Sequence, residues 1–393
     1  VDGIKPTITA AAMSYSNAGT ITLSGISNYT GLSTFNSGTV VLNNSGSGGS
    51  FSGTTNALTF AGGAFRYLGA NAGSTQTLSG AFNLNAGGSK IAVVGGTSGT
   101  TTLALGAMTL TTNAGTLNID LSGVGSGVTT STAVVNQLLA ARGAVTVTSG
   151  GTTDFATKSG SNIVQLTGQA AYTGTTTGTT TNYTITGSQT ASAAATPNSI
   201  KINTTGAGQS LNLGANTMQI TSGGLLFVGS NDYSITGSSA TALRSATATN
   251  SDLIIHNYGT GELNIAAIIA NGTGASVLTL NGPGVTRLSS ANTYTGITTV
   301  TGGATVSIDA NSRLGSASTA VTINNGTLRA TSGFDLTRAI TLGAGNGSFD
   351  VTGASTLKVT GVISSAIAGT GNLTKTGTGT LQLTAANTFS GGF

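Results

Sequence analysis

Short runs of apolar and β-branched residues, separated by Gly, Asn and Ser, recur along almost the whole chain. Examples are residues 39–42 (TVVL), 117–119 (LNI), 144–147 (AVTV), 278–280 (LTL) and 357–359 (LKV). Such runs are typical of pleated strands, in which successive side chains point to opposite faces. The intervening Asn-Gly and Gly-Gly pairs accept the positive φ that tight turns require. The pattern therefore predicts an all-β chain of short strands.

One segment departs from this pattern. Residues 131–142 (STAVVNQLLAAR) begin with a Ser, carry an apolar face and are followed directly by Gly143. A Ser at the N-cap and a Gly just beyond the C-terminus are typical of a helix. The segment therefore predicts one short helix near 131–142.

A spaced triplet is repeated along the chain: a Leu, then an aromatic residue six positions later, then a Gly two positions further on. The clear copies are Leu23, Tyr29 and Gly31; Leu288, Tyr294 and Gly296; and Leu383, Phe389 and Gly391. A degenerate fourth copy consists of Leu166, Tyr172 and Gly174. The constant spacing indicates an internal structural repeat.

Each repeat reads as a strand, a turn and a second strand, and one such unit cannot bury both of its faces. Stacked units pair every backbone edge and enclose a column of apolar side chains. The sequence therefore predicts a parallel β-helix, or β-solenoid, with coils of roughly 20 to 25 residues. We expect an N-terminal block over 1–130, a helix and Thr/Gly-rich crossover over 131–197, and a C-terminal block over 198–393.

The C-terminal copy extends into a longer motif, LTKTGTGTLQLTAANTFSG over residues 373–391, and 278–308 is similar. These stretches resemble the autotransporter-associated β-strand repeat, also called the passenger-associated transport repeat. Proteins with this repeat are bacterial β-helical passengers, adhesins and very large surface proteins. The resemblance implies an extracellular or cell-surface location, and it specifies an architecture rather than an activity.

Composition narrows the possible functions. Only 6 % of the residues are charged, 62 are Gly, none is Cys, and the formal net charge is +4. A typical helical enzyme needs far more Glu, Lys and Arg. Lys and Arg form no cluster along the sequence, so no nucleic-acid partner is expected.

Arg329 and Arg338, with Asp335 between them, are interpreted as charged residues on a solvent-exposed edge. No apolar stretch is long enough to predict a transmembrane segment.

Candidate chemistry is sparse. Two carboxylate pairs are conceivable across stacked coils, Asp252 with Glu262 and Asp335 with Asp350, but isolated turn residues are the favoured interpretation. His256 lies in an apolar run and is expected to be a strand residue with a satisfied partner. One His and no Cys exclude a zinc site. We expect no catalytic residues, no metal and no cofactor.

The repeated aromatic residues have two interpretations. Tyr29, Tyr172, Tyr294 and Phe389 either stack inside the solenoid or present platforms on which sugars stack. The first is favoured, since like residues coincide from coil to coil in a repeat structure.

Three functions follow as hypotheses. The first is a non-enzymatic extracellular structural protein that assembles with other copies of itself, head to tail, into a filament, sheath or layer. In this hypothesis the end that bears Phe393 docks on the N-terminal strands of the next copy. The alternative is a passenger-type adhesin, a monomeric β-helical stalk that contacts surface glycans or matrix. A polysaccharide-degrading β-helix enzyme is a distant third.

Overall fold

The computed structural model describes residues 12–27, 31–46, 48–110, 113–175, 178–204, 206–240, 243–245 and 252–393 of the 393-residue chain. The chain divides into two compact units, Val1–Thr167 and Gly168–Phe393. Each is a parallel β-solenoid, as the sequence predicts, and together they contain about 15 turns. The division falls inside the segment 131–197, which the sequence analysis assigns to a crossover.

The first unit contains twenty described strands. They are β1 Ala12–Tyr15, β2 Thr20–Leu23, β3 Ile26–Ser27, β4 Leu32–Phe35, β5 Thr39–Asn43, β6 Ser50–Phe51, β7 Leu58–Phe60, β8 Ala64–Leu68, β9 Ser74–Leu78, β10 Phe82–Leu84, β11 Gly87–Val94, β12 Thr101–Leu105, β13 Met108–Leu110, β14 Gly115–Asp120, β15 Ser126–Thr130, β16 Val134–Val135, β17 Leu138–Leu139, β18 Val145–Ser149, β19 Thr152–Ser159 and β20 Asn162–Gln165.

Strands of the first unit pair with the equivalent strands of neighbouring coils. One parallel sheet has the order β1-β4-β7-β10-β13, a second runs β2-β5-β8-β11-β14-β18, and a third face carries β9-β12-β15. The rings of Phe35 and Phe60, on neighbouring coils of the first sheet, stack with centroids 4.7 Å apart. The repeat therefore places like side chains on top of one another in the core.

The C-terminal end of the first unit changes from parallel to antiparallel pairing. Strand β18 pairs antiparallel with β19, β19 pairs antiparallel with β20, and β20 pairs antiparallel with β15. The β19–β20 hairpin thus joins the second and third faces into one eleven-stranded sheet. It satisfies the backbone edges of two faces within the unit, and so it closes this end of the first solenoid.

The helix predicted over 131–142 is wrong. Strand β16 pairs antiparallel with β17 in a short hairpin, and the two linking residues, Asn136 and Gln137, have φ of 49° and 66°. Two left-handed residues in succession are what a two-residue hairpin turn requires, and they are incompatible with a right-handed helix. The hairpin buries Leu138 and Leu139, to 1 % and 0 % exposure. Burial of these two neighbouring side chains outweighs the local helix propensity.

The second unit contains twenty-four described strands. They are β21 Ala170–Ala171, β22 Asn182–Ile185, β23 Gln189–Thr190, β24 Ser199–Ile202, β25 Gln209–Asn212, β26 Met218–Ile220, β27 Gly224–Phe227, β28 Tyr233–Thr236, β29 Leu243–Ser245, β30 Asp252–Asn257, β31 Leu263–Ile265, β32 Val277–Asn281, β33 Val285–Leu288, β34 Thr298–Thr301, β35 Thr305–Ile308, β36 Val321–Asn324, β37 Gly326–Ala330, β38 Phe334–Leu336, β39 Ile340–Leu342, β40 Gly347–Val351, β41 Thr356–Val359, β42 Ile363–Ser365, β43 Leu373–Thr376 and β44 Thr380–Leu383. A 3₁₀ turn covers Asn311–Leu314.

The pairings between the described strands of the second unit are all parallel. The largest sheet has the order β21-β22-β24-β27-β30-β32-β34-β36-β39-β42, and a second runs β23-β25-β28-β31-β33-β35-β37-β40-β43. The two short sheets β26-β29 and β38-β41-β44 form further faces. Coil length varies more than expected: Asn182 pairs with Ser199, seventeen residues later, whereas Gly224 pairs with Ile254, thirty residues later.

The core of the second unit is a set of columns of apolar side chains. One column follows the register of the largest sheet, and all of its members are 0–1 % exposed: Ile200, Leu225, Ile255, Leu280, Val300, Ile323 and Leu342. Burial of these columns is the main stabilising contribution to a solenoid. Among the described residues no helix is long and apolar enough to span a membrane.

Candidate functional site

The repeat motif is best seen in the copy that runs from Leu288 to Gly296. Leu288 ends β33 and is fully buried, and Tyr294 is 0 % exposed. The Tyr294 hydroxyl forms a hydrogen bond with Thr298 Oγ1 at 2.6 Å. Burial raises the pKa of Tyr294 well above its ordinary value. The ring therefore lies in the core and offers no face to a ligand in solvent.

Close backbone approach explains the Gly of the motif. Gly296 donates its amide hydrogen to the Ser276 carbonyl at 3.0 Å, and a Cβ at Gly296 would lie 2.3 Å from that oxygen. Gly174 has φ of 83°, and a Cβ there would lie 2.1 Å from the Thr190 carbonyl oxygen. Any larger residue at either position would push neighbouring coils apart.

The remaining motif residues occupy similar places. Leu23, Leu166 and Tyr172 are buried, and Leu383 and Phe389 are half-buried against the core. A Cβ at Gly391 would lie 2.6 Å from the Asn372 nitrogen, Gly31 is half-buried, and Tyr29 lies outside the described residues. The structural role assigned to these motif residues stays a prediction that substitution must test.

A polar residue between the Leu and the aromatic residue, Asn292 in this copy, is a structural part of the motif that the triplet in the sequence analysis does not include. Asn292 Oδ1 accepts a hydrogen bond from the Ile269 amide at 2.8 Å, and Asn292 Nδ2 donates one to the Arg313 carbonyl at 2.6 Å. Asn387 Oδ1 accepts from the Ile363 amide in the same way, at 2.9 Å. The Asn side chain therefore connects successive coils at a corner of the solenoid. The recurrence of Asn four positions after the Leu is the signal that could have identified it.

The interpretation of Arg338 as a solvated residue is wrong. Arg338 is 2 % exposed, and its guanidinium donates hydrogen bonds to neutral oxygens around the 3₁₀ turn. The acceptors are the Asn311 side chain and carbonyl, the carbonyls of Gly315, Ser316 and Thr319, and the Thr319 hydroxyl. Desolvation lowers the pKa of Arg338 below its ordinary value. Arg338 thus ties the turn to the next coil.

In each of the two conceivable carboxylate pairs, the two side chains belong to different sheets. Asp335, on β38, forms an ion pair with Lys358 at 3.3 Å, whereas Asp350, on β40, forms one with Arg329 at 2.7 Å. Asp252 is buried in β30 and accepts a hydrogen bond from Thr279 Oγ1 at 3.2 Å. Glu262 immediately precedes β31 of the second sheet. Neither pair converges on one face, as general acid and base carboxylates must.

His256 is a fully buried strand residue. Its Nδ1 lies 2.9 Å from Asn281 Nδ2, which donates to it, and its ring stacks on Tyr258 with centroids 6.3 Å apart. This agrees with the expected satisfied partner. Within the part of the chain that the structure describes, no three His, Cys, Asp or Glu side chains group as metal ligands.

A groove lined by apolar, hydroxyl and charged side chains lies on the outer face of the first unit. Two rows of outward-facing residues follow the register of β5, β8, β11 and β14. The first row is Thr39, Ala64 and Lys90, and the second is Val41, Arg66, Ala92 and Asp120. The small Ala side chains leave a depression of about 550 Å³ between the longer ones. We call these two rows and the depression the outer groove.

An ion pair borders the outer groove. Lys90 Nζ lies 2.8 Å from Asp120 Oδ2, and the Ser122 amide donates to Asp120 Oδ1 at 3.0 Å. Burial raises the pKa of Asp120, but the hydrogen bonds from Lys90 and Ser122 outweigh it and hold the pKa below its ordinary value. Asp120 is therefore ionised at neutral pH.

Comparison with known proteins adds two findings. The model of the passenger-associated-transport-repeat family matches residues 16–42, 157–177, 273–308 and 373–393. A relative, the adhesin BmaC autotransporter of Brucella suis biovar 1 (strain 1330), is 36 % identical over 106 residues. That alignment covers 27 % of this chain and 3 % of the relative. No solved structure matches the chain.

The four family matches coincide with the four copies of the Leu–aromatic–Gly triplet found in the sequence. The described residues of these matches lie in both compact units, on strands and in the turns that follow them. The chain is a parallel β-solenoid protein that carries passenger-associated transport repeats.

Proposed function

We propose that this chain is part of a surface-displayed passenger that acts in adhesion, by binding rather than by catalysis. The observation that carries the proposal is the occurrence of passenger-associated transport repeats at four places, in both units. The similarity to an autotransporter adhesin supports it. A location at the cell surface or outside the cell follows from the same two observations.

A solenoid suits this role for physical reasons. Each coil contacts only its neighbours, so the number of coils can grow without a change of fold. The outward-facing side chains are not needed for the apolar columns, and they are free to form a binding surface. We therefore place the contact with a partner on an outer face and assign the motif Leu and aromatic residues to the core.

Head-to-tail assembly, the first of the hypotheses drawn from the sequence, gains no support from the family or from the relative. It remains a hypothesis, and electron microscopy of the purified chain at neutral pH and physiological salt tests it. Regular filaments or sheets would favour assembly, and discrete particles would favour the adhesin. The proposed docking surface of the N-terminal strands includes residues 1–11, which lie outside the described part of the chain.

Adhesion is tested with the purified chain coupled to beads. The beads are incubated with surfaces that carry extracellular matrix or glycans, and bound beads are counted after washing. We expect more binding than with beads that carry an unrelated β-rich protein of similar charge, and we expect the free chain to compete. Binding no greater than that of the control beads on every surface would contradict the proposal.

A further inference from the structure

We propose that the outer groove of the first unit binds a carboxylate-bearing saccharide, and that the Arg66 guanidinium holds the carboxylate. The inference rests on the proposed role in adhesion and names the chemical class of the partner. It is drawn from the shape, the charge and the hydrogen-bonding groups of the groove.

The shape of the outer groove suits a short oligosaccharide. Ala64 lies between Thr39 and Lys90 in one row, and Ala92 lies between Arg66 and Asp120 in the other. The groove reaches from β2 to β14, five strands, or about 19 Å at the usual strand spacing. Its volume of about 550 Å³ lies within the range typical of small-molecule sites.

The charge of the outer groove favours an anion. Lys90 and Asp120 neutralise each other. Arg66 is exposed, and no carboxylate among the residues described lies within ion-pair distance of it. Within the described part of the chain, the groove therefore carries one uncompensated positive charge. A planar guanidinium can bind a carboxylate through two parallel hydrogen bonds, which a neutral ligand cannot match.

The other groups of the outer groove suit sugar hydroxyls. Thr20 and Thr39 supply hydroxyls, which both donate and accept. Lys90 has three N–H donors, and its contact with Asp120 occupies one of them. The two Ala side chains, Ala64 and Ala92, provide small apolar areas against which C–H groups can pack. A nucleic acid would need several uncompensated cations along one face, and this groove has one.

The test compares an acidic ligand with its uncharged methyl ester. The full 393-residue chain is titrated with an oligosaccharide of galacturonic acid, and with the same oligosaccharide as its neutral methyl ester, by isothermal calorimetry. We expect the acid to bind and the ester to bind about tenfold to hundredfold more weakly, since a charge-assisted contact is lost. Higher salt should weaken binding of the acid and not of the ester.

Three variants assign the binding to the outer groove. Arg66→Gln should weaken binding of the acid by the same tenfold to hundredfold and leave the ester unchanged. Ala92→Leu should fill the groove and weaken binding of both ligands. Arg287→Gln is the matched control, since Arg287 is also exposed on an outer face, on β33 of the second unit, and this variant should bind normally. Circular dichroism checks that each variant is folded.

Four results would overturn the inference. They are equal binding of acid and ester, unchanged binding by Arg66→Gln, an equal loss with Arg287→Gln, and binding of poly-glutamate as tightly as of the saccharide. The last would show that the groove recognises acidic peptides instead. Bead adhesion without saccharide binding would contradict the proposed role of the groove but not the proposed role in adhesion. Saccharide binding without bead adhesion would contradict the role in adhesion but not the role of the groove.

Discussion

Replacement of Asn292 by Ala tests how the repeat motif holds successive coils together. Asn292 is 5 % exposed, and its side chain bridges the coil before it, at the Ile269 amide, and the coil after it, at the Arg313 carbonyl. Ala leaves both of these backbone groups without a partner. The adjacent contact, from the Thr293 amide to the Ile269 carbonyl at 2.9 Å, does not depend on the Asn292 side chain.

The expected loss follows from these two bonds. An unsatisfied buried polar group costs about 1 to 3 kcal/mol. The contact with Ile269 is buried, and the contact with Arg313 is partly buried, so that water can partly replace the second. We therefore expect Asn292→Ala to lower the free energy of unfolding of the second unit by about 2 to 4 kcal/mol.

Urea unfolding gives the global readout and hydrogen exchange the local one. Because the chain has two compact units, the transition that belongs to the second unit must be followed separately. The amide of Ile269 should exchange faster in the variant, while amides in the first unit keep their protection. Unchanged exchange at Ile269, together with a stability loss under 0.5 kcal/mol, would refute the reasoning.

Two further variants act as controls. Asn387→Ala removes one hydrogen bond from a half-buried position and should cost about 1 kcal/mol. Asn292→Asp keeps the acceptor for Ile269 but sets a carboxylate oxygen against the Arg313 carbonyl. Burial raises the pKa of such an Asp above its unfolded value, so its ionised form destabilises the fold. The variant should therefore be most stable at low pH and lose stability as the pH rises through that raised pKa.

Other predictions concern the corrected features and the ion pair. Arg338→Met should lower the free energy of unfolding of the second unit by about 3 kcal/mol, measured in urea, because buried carbonyls lose their donor. Gln137→Gly should raise the free energy of unfolding of the first unit by about 1 kcal/mol, since φ at that position is 66° and Gly adopts positive φ without strain. If residues 131–142 formed a helix, the same substitution would lower the free energy of unfolding by a similar amount. The sign of the change in urea unfolding therefore distinguishes the hairpin from the helix. Because the pKa of Asp120 is lowered in the fold, its contribution is present at neutral pH and is lost below about pH 4. Lys90→Met removes the ion pair with Asp120, so the decrease in the free energy of unfolding between neutral pH and about pH 3 should become smaller by about 0.5 kcal/mol. Urea unfolding at a series of pH values measures this decrease. A fragment of residues 1–167 should unfold cooperatively by itself, because the β19–β20 hairpin closes its C-terminal end; a non-cooperative, unprotected fragment would contradict this.

The strands and their stacking into a solenoid could be predicted from the sequence, because strands depend on neighbouring residues and stacking depends on repetition. Alternation within runs such as 278–280 determines a strand, since the side-chain period of two is a local property of the backbone. The constant spacing from Leu288 to Gly296, found again from Leu383 to Gly391, determines a stack, since equal units bury their faces only against one another. All-β class and solenoid architecture therefore followed from the pattern of residues, whereas the repeat type followed from the resemblance of residues 373–391 to a known repeat.

Contacts between coils determined the features that the sequence did not predict, namely the hairpin at 134–139, the burial of Arg338 and the outer groove. Local propensity favoured a helix at 131–142, but burial of Leu138 and Leu139 selects a hairpin there. Arg338 looks like a surface residue in the sequence, and only the carbonyls of the preceding coil, some twenty residues earlier, make its burial favourable. The outer groove likewise exists because stacking aligns Arg66, Ala92 and Asp120, which lie more than twenty residues apart from one to the next. The distance between such residues is set by coil length and register, and neither is a local property of the sequence.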